Sequence, residues 1–372
     1  MTEKLYYEYP YTFSGETNVT RCVSDKKNFR IYIDKSLFFP EGGGQPGDKG
    51  SIGGIEVLDT QEDGEDIYLV TREPLDTGAY NTLVNREYRM KNSVAHSGEH
   101  IFSGFVCRLF NCNNVGFHMG DEGITVDFDT VLSAEDIYKI EKLSNAKIRE
   151  NIEIVCSFPD EDTIQKTDFR FKKEIAGKLR LVEIPGCDIC ACCGTHVART
   201  GEVGIVKCVS FESHRGGTRL LLKAGESALE HYSMCAGVLP KTASLFSAKP
   251  EEAFQAAEKY IAKTEELKLR YSSMKKELFR LKAEKIQPVN GVAVAVEEEL
   301  VQADIITFAD ILKACYGTGL VYSGNEKDGY KFVLCGDRAD EIFVKMKAYG
   351  AVGGGRNGCI QGRIPTIVKE NL

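Results

Sequence analysis

Two of the six histidines in the chain, His96 and His100, stand four positions apart in the segment His-Ser-Gly-Glu-His. Residues at positions i and i+4 lie on one face of a helix, so both imidazoles can reach a single metal ion. Val94, Phe102 and Phe105 recur around them at helical spacing, which predicts a helix from about residue 90. Taken alone, the pair is equally compatible with two packed or surface histidines.

A second pair of candidate ligands follows about ninety residues later, as Cys192 and His196 in the segment Cys-Cys-Gly-Thr-His. Zinc accepts a mixed set of thiolate and imidazole ligands, and an exchangeable water beside three or four protein ligands is typical of a catalytic site. The alternative is a structural metal knuckle formed by Cys187, Cys190, Cys192 and Cys193 alone. Its weakness is that the adjacent Cys192 and Cys193 are awkward ligands for one tetrahedral ion.

Three motifs in this order resemble one known family. They are the glycine-rich segment 41–48 (Glu-Gly-Gly-Gly-Gln-Pro-Gly-Asp), the His96 to His100 pair, and Cys192 to His196 followed by Val-Ala-Arg-Thr-Gly-Glu-Val-Gly at 197–204. Together they resemble the editing domain of alanyl-tRNA synthetase, and more closely the free-standing alanyl-tRNA editing proteins. The C-terminal Gly-Gly-Gly-Arg at 353–356 resembles the small domain called DHHA1 that follows the editing module in that synthetase and in the longer editing proteins.

The resemblance implies a zinc-dependent hydrolase that removes serine or glycine from mischarged alanine tRNA. It implies a zinc site formed by His96, His100, Cys192 and His196. Among the remaining residues we expect Gln45 and Thr195 to have catalytic roles. The alternative is that the glycines beside Gln45 only give a turn its backbone freedom and that the Thr195 hydroxyl only caps a turn. The residues that we expect to contact substrate or tRNA are Gly43, Gly44, His118, Arg215, Arg219, Gly354, Gly355 and Arg356.

Two positions depart from the family pattern. Cys193 stands where the family usually has glycine, which leaves either Cys192 or Cys193 as the thiol ligand, with Cys192 favoured by its spacing from His196. Glu99 creates the pattern His-x-x-Glu-His, which is the signature of the inverted zinc peptidases. A peptidase and a non-catalytic tRNA-binding module stabilised by zinc are therefore the alternative functions.

Composition restricts the class of protein. The 372 residues are 42% hydrophobic and 27% charged, and no apolar run approaches the roughly 20 residues that a bilayer-spanning helix needs. The N-terminus has no basic region followed by an apolar stretch, so we expect a cytoplasmic protein. The 13 cysteines are an odd number, and in a reducing compartment clustered cysteines are expected to be metal ligands, catalytic groups or buried side chains rather than disulfides. The cluster here consists of Cys187, Cys190, Cys192 and Cys193.

The pattern along the chain predicts an α+β protein with four parts. Residues 1–88 are expected to form a small β-barrel with the glycine-rich loop, and residues 89–240 an α+β editing core with the zinc site. Residues 241–290 are expected to form a helical, coiled-coil linker, and residues 291–372 an α/β DHHA1-like domain. In this last part, 305–307, 319–322 and 331–334 are predicted strands and 350–358 a glycine-rich loop. Because the barrel begins within a few residues of Met1, we expect an enzyme without aminoacylation activity that acts in trans.

The segment 251–286 contains neither glycine nor proline, and its apolar residues are spaced alternately by four and three positions from Ala253 to Leu281. This spacing is typical of a coiled-coil seam and predicts a homodimer through this helix. On a chain of net charge −8, residues 257–286 carry 9 basic and 5 acidic side chains, and residues 166–180 carry 6 and 2. We expect these two stretches to contact the tRNA backbone, with an ordinary solvated helix face as the alternative.

Overall fold

The computed structural model describes residues 1–170 and 179–369. It divides the chain into two compact units, Met1–Val238 and Leu239–Leu372. The mixed α+β class predicted from the sequence is confirmed. Lys172, Lys173 and Lys178 of the basic stretch 166–180 lie outside the described residues. In the described part of the chain, no helix is both long and apolar enough to span a bilayer.

The first unit begins with a β-barrel. Strands β2, β3, β7, β6, β5 and β8 pair in that order, and β8 pairs back to β2 to close the ring. Alternate residues of β7, Ile67, Leu69 and Thr71, are buried, as expected for a strand with one face on a core. The elements are β1 (Glu3–Lys4), α1 (Leu5–Glu8), β2 (Ser14–Asp25), β3 (Asn28–Ile33), β4 (Lys35–Ser36), β5 (Gly50–Ile52), β6 (Ile55–Asp63), β7 (Asp66–Thr71) and β8 (Gly78–Val84).

A long helix, α2 (Arg86–Phe110), follows the barrel and carries His96 and His100. The side chain of Asn85 caps its first turn, and Asn111 ends it in the left-handed conformation. Most of its length is buried, because it lies between two sheets. The remaining elements of this part are β9 (Asn114–Gly120), β10 (Gly123–Phe128), α3 (Ala134–Arg149), β11 (Val155–Ser157), α4 (Glu161–Lys166), β12 (Leu181–Ile184), β13 (Asp188–Ala191), a 3-10 turn (Thr200–Val203), β14 (Val206–His214) and β15 (Gly217–Ala224).

The two sheets around α2 have different sizes. One has four antiparallel strands in the order β14-β15-β10-β9, and the other has three in the order β11-β12-β13. Val126 and Leu220 on the inner face of the larger sheet share a buried cluster with Ile101 and Phe102 of α2. This packing fixes the position of the two histidines on α2.

The C-terminal unit is a five-stranded sheet with helices. The strand order is β16-β17-β18-β20-β19, and only β16 and β17 are parallel. Phe279 of α6 stacks on Phe308 of α7 with ring centroids 4.6 Å apart. A helix, α5 (Glu226–Leu245), spans the boundary between the units, and the later elements are a 3-10 turn (Pro250–Glu252), α6 (Ala253–Glu284), β16 (Ala293–Glu297), α7 (Gln302–Tyr316), β17 (Thr318–Asn325), β18 (Gly329–Gly336), α8 (Ala339–Lys347), β19 (Val352–Arg356) and β20 (Cys359–Ile364).

Two expectations for this unit were wrong. Residues 305–307, predicted as a strand from their β-branched side chains, belong to α7, because Ile305, Phe308 and Leu312 recur at helical spacing and are buried. The predicted glycine-rich loop contains the edge strand β19, which pairs with β20. Cys335 and Cys359, which lie outside the cluster of cysteines considered in the sequence, are directly opposite each other on β18 and β20 and are paired as a disulfide.

Candidate metal site

Four side chains from two segments meet in the first unit. The ligand atoms of His96, His100, Cys192 and His196 all lie within 4.8 Å of one another. The Cys192 Sγ is 3.4 Å from the Nε2 atoms of both His96 and His196. The three histidines are almost fully buried and Cys192 is partly buried. Nitrogen and sulfur donors at this spacing can hold a metal ion, and we call these four side chains the donor group.

Each imidazole in this group has an acceptor for its Nδ1 proton. His96 Nδ1 lies 2.8 Å from Gln45 Oε1, and His100 Nδ1 lies 3.1 Å from Asp188 Oδ2. His196 Nδ1 lies 3.1 Å from Ser97 Oγ, whose own proton is donated to a backbone carbonyl. All three rings are therefore protonated at Nδ1, so the lone pair is on Nε2 in each case.

Burial shifts the pKa values of two members of the group. Burial, and next the neighbouring His96 and His100, lower the pKa of His196 well below its ordinary value. This keeps the imidazole neutral, as a metal ligand must be. Burial raises the pKa of Cys192 well above that of a free thiol, while the backbone N–H of Gly194, 3.3 Å from Sγ, acts in the opposite direction. A bound cation would favour the thiolate at this position.

Gln45 and Thr195 bind each other beside His96. The Gln45 Nε2 donates to Thr195 Oγ1 at 2.8 Å, and the Thr195 backbone N–H donates to Gln45 Oε1 at 3.0 Å. Ser93 Oγ lies 2.7 Å from Thr195 Oγ1. Because Gln45 Oε1 also meets His96, this network joins the glycine-rich segment, α2 and the turn before His196. The catalytic role of Gln45 and Thr195 stays a prediction.

The glycine-rich segment packs directly against the site. Gly43 and Gly44 have positive φ angles of 60° and 86°. A Cβ on Gly43 would lie 2.9 Å from Cys193 Sγ, and one on Gly44 would lie 2.5 Å from the ring of Phe117. The Phe117 ring stacks on His96 with centroids 4.9 Å apart. The two glycines therefore allow the loop to approach the donor group closely, while Cys193 itself is exposed.

The four clustered cysteines do not form one group of ligands. The thiol of Cys187 donates to the carbonyl of Ile101 at 3.3 Å, and Cys193 is exposed beside Gly43. This arrangement does not support the alternative of a knuckle made from cysteines alone. Of the two thiols in question, Cys192 is the one in the donor group.

Within the first unit, three of the residues expected to contact substrate lie away from the donor group. His118 is exposed on β9, where its side chain is on the opposite face from Phe117. Arg219 of β15 lies on the same outer face and forms a two-point ion pair with Asp127, at 2.7 and 2.8 Å. Arg215 is exposed in the turn between β14 and β15. Gly354, Gly355 and Arg356 are exposed on β19 in the C-terminal unit.

Two arginines of the basic stretch 166–180 bind inside the protein. Arg170 forms a two-point ion pair with Asp188. Arg180 is 9% exposed and donates to the carbonyl groups of Cys192 and Gly194 at 2.9 and 2.8 Å. The expectation that this whole stretch faces tRNA was therefore wrong for these two side chains, which support the turn that carries Cys192.

Sequence reasoning missed Asp188, Ser97 and Phe117. Each of them contacts a histidine of the donor group. Asp188 and Phe117 come from other elements, and Ser97 lies between the two motif histidines, so none of the three forms a recognisable sequence pattern. The only available signal was the position of Asp188 among Cys187, Cys190 and Cys192. Burial opposes ionisation of Asp188, but its hydrogen bonds with Arg170 and His100 prevail and lower its pKa to about 2.

Comparison with known proteins gives consistent results. Residues 179–221 match the model of the threonyl and alanyl tRNA synthetase second additional domain. The chain is 31% identical over 247 residues to the alanyl-tRNA editing protein Aarsd1-B of Xenopus laevis, a stretch that covers 63% of this chain and 59% of that protein. It is 27% identical over 404 residues to the alanine–tRNA ligase of Pyrococcus abyssi, covering 99% of this chain and 42% of the ligase.

The matched domain contains Cys192 and His196, and the alignment with the ligase extends over nearly the whole chain. The chain spans between two fifths and three fifths of the length of these relatives. These similarities confirm the expected resemblance of the chain to alanyl-tRNA synthetases and to alanyl-tRNA editing proteins.

Proposed function

We propose that this chain is a hydrolase that acts in trans on mischarged tRNA, without aminoacylation activity. Its substrates are alanine tRNAs that carry serine or glycine, and its cofactor is zinc held by His96, His100, Cys192 and His196. The observation that carries the proposal is the convergence of these four donors within 4.8 Å. Similarity to a protein named for alanyl-tRNA editing supports the choice of substrate.

The donor set fits zinc on chemical grounds. Zinc prefers nitrogen and sulfur ligands, and the three Nε2 lone pairs and the Cys192 thiol offer both. When bound, zinc supplies Lewis acidity, which polarises an ester carbonyl or lowers the pKa of water. The hydrogen bonds of Gln45, Asp188 and Ser97 orient the three rings before any ion arrives. Such preformed orientation lowers the cost of assembling the site.

The residues around the donor group have a positioning role in this proposal. Gln45 holds His96 through its carbonyl oxygen and Thr195 through both ends of its amide. Thr195 immediately precedes His196, so the same contacts fix the turn that carries Cys192 and His196. Phe117 covers one face of the His96 ring and limits the access of bulk water to it. A rigid, shielded site of this kind holds an ester and its attacking water in one geometry.

A separate editing site compensates for the limited selectivity with which a binding pocket distinguishes alanine from similar amino acids. An apolar pocket gains only about 1–3 kcal/mol for each methylene group, so a synthetase that binds alanine cannot strongly reject glycine, which is smaller. A serine hydroxyl is likewise tolerated at a significant rate. A second site that hydrolyses the wrong ester corrects both errors after charging.

For the tRNA partner, we assign backbone contacts to the basic side chains of α6 and to Arg356. Of the α6 lysines, Lys263 forms an ion pair with Glu266 of the same helix, and Lys275 and Lys282 form ion pairs with Asp304 and Glu297. We therefore assign the tRNA contacts to the other lysines of α6. Gly354, Gly355 and Arg356 lie exposed on an edge strand, where a guanidinium can bind phosphate. In this proposal, residues 291–372 form a DHHA1-like domain, and the chain dimerises through α6.

The two alternative functions make different demands on the site. An inverted zinc peptidase uses the glutamate between its histidines as general base and a later glutamate as third ligand. In the described part of the chain, the group with His96 and His100 is completed by Cys192 and His196 and contains no glutamate. A non-catalytic tRNA-binding module would keep the same ligands and lack only the hydrolysis.

The test compares three preparations of the protein on serine-charged alanine tRNA: zinc-loaded, chelator-stripped, and stripped then reloaded with zinc. We expect hydrolysis by the first and third preparations and little by the second. A peptide substrate assayed in parallel should remain intact. Binding of charged tRNA without hydrolysis by fully loaded protein would overturn the proposal in favour of the binding module.

A further inference from the structure

We propose that Asp188, held by Arg170, is the positioning residue that fixes His100 as a nitrogen ligand. The inference rests on the metal site of the proposed function and assigns a role to two residues outside the sequence motifs. Asp188 lies at the start of β13 and is 7% exposed. Its Oδ2 lies 3.1 Å from His100 Nδ1.

Asp188 differs in charge from the partners of the other two histidines. His96 meets the neutral amide oxygen of Gln45, and His196 meets the neutral hydroxyl of Ser97. A carboxylate is the stronger acceptor, and its negative charge at Nδ1 increases the electron donation of the ring at Nε2. His100 is therefore the best nitrogen donor of the three.

Arg170 fixes the carboxylate in place. Its Nε donates to Asp188 Oδ1 at 2.7 Å, and its Nη2 donates to Asp188 Oδ2 at 2.6 Å. A two-point contact of this kind defines the plane of the carboxylate and balances its buried charge. The backbone of Arg170 is itself tied to β13 by hydrogen bonds with Ile189 and Ala191, at 2.9 and 2.8 Å.

The backbone brings Asp188 to His100 through a glycine on α2. Gly104 lies one turn after His100, and a Cβ at this position would lie 2.7 Å from the Cβ of Asp188. The absence of a side chain allows β13 to approach α2 at this point. The His100 to Asp188 contact is therefore set by the packing of two elements as well as by side-chain rotamers.

Asp188 also belongs to a second group of possible metal donors, with His100 and Cys190. A cation at that position would have to compete with Arg170, whose guanidinium already contacts both carboxylate oxygens. A fixed positive charge at this distance opposes the binding of a metal ion. We therefore assign Asp188 to orient His100 and not to bind the metal itself.

The test uses Asp188→Asn, with Asp127→Asn as its matched control. Asp127 forms an equivalent two-point ion pair with Arg219 in the same unit, on the face of the sheet away from α2. We expect Asp188→Asn to weaken Zn²⁺ binding about 10- to 100-fold, in a competition titration with a chromophoric chelator. Arg170→Gln should weaken it less, and Asp127→Asn should leave it unchanged.

A second readout separates positioning from general damage to the fold. In metal-free protein labelled with ¹⁵N-histidine, His100 should be protonated at Nδ1 in the wild type and should lose that preference in Asp188→Asn. Unchanged zinc affinity and an unchanged His100 tautomer in that variant would overturn the inference. Equal losses of affinity in the Asp188 and Asp127 variants would also overturn it.

Neither readout uses hydrolysis, so this inference and the proposed activity fail separately. Zinc-loaded wild type that leaves serine-charged tRNA intact contradicts the activity alone. Wild type that binds no zinc in the titration contradicts the metal site, and with it this role of Asp188.

Discussion

Replacing Gly194 with alanine should displace a metal ligand by adding a single methyl group. Gly194 lies between Cys192 and His196, and a Cβ there would lie 2.1 Å from His96 Cε1 and 2.2 Å from His96 Nδ1. The same Cβ would lie 2.9 Å from Gln45 Oε1, the acceptor that orients the ring. The φ angle of Gly194 is outside the left-handed region, so alanine is allowed there by the backbone and the effect is steric.

The size of the effect follows from these distances. Ordinary contact begins near 3.4 Å, so the His96 ring and the turn must separate by about 1.3 Å. Metal sites tolerate deviations of only about 0.2 Å in ligand distance. Overpacking of this kind costs about 1–3 kcal/mol, and every 1.4 kcal/mol is a tenfold change in affinity. We therefore expect Zn²⁺ affinity to fall about 10- to 100-fold, with the protein still folded.

The assay is a zinc titration against a chromophoric chelator, with urea unfolding of the metal-free protein measured in parallel. Gly237→Ala in α5 is the control, because a Cβ there meets no atom within 4 Å. It should leave zinc affinity unchanged and stabilise the helix slightly. Wild-type zinc affinity in a normally folded Gly194→Ala protein would refute the packing of His96 against this turn.

Three further predictions concern the thiol ligand, the oligomer and an ion pair. Cys192→Ala should lose zinc and Cys193→Ala should keep it, and equal zinc contents by elemental analysis would contradict the ligand assignment. Leu267 is exposed in the coiled-coil seam of α6, so Leu267→Lys should halve the mass measured by light scattering. Leu269 is exposed outside the seam, so Leu269→Lys should leave the mass unchanged. A monomeric wild type would contradict the dimer. The hydrogen bond and charge of Arg219 lower the pKa of Asp127 in the folded protein. The ionised Asp127 therefore stabilises the folded state fully at pH values above the unfolded pKa of about 4, and this contribution is lost as the pH falls through the lower pKa of the folded state. Urea midpoints should therefore fall more between pH 7 and pH 3 in wild type than in Asp127→Asn, and equal falls would contradict this.

The sequence predicted the donor group because its two halves are local patterns. His96 and His100 share a helix face by periodicity alone, and Cys192 and His196 are only four positions apart in one short segment. In β7 every second residue, Ile67, Leu69 and Thr71, is buried, which is the local period-two pattern of a strand. Local spacing needs no knowledge of how distant segments pack.

The partners of these residues could not be predicted, because tertiary packing brings them together. Asp188 reaches His100 only because β13 crosses α2 at Gly104, and Phe117 reaches His96 only through the pairing of β9 with β10. Arg170 and Arg180 look like surface charges in the sequence, yet they bind groups within the fold. Residue type alone does not distinguish an arginine on the surface from one that binds groups within the fold.

The most direct test of the central claim is the hydrolysis of serine-charged alanine tRNA beside correctly alanine-charged tRNA. The zinc content of the protein should be determined in the same sample. The proposed function predicts rapid loss of serine from the first tRNA while alanine is retained on the second. Retention of both amino acids by protein with a full complement of zinc would contradict it.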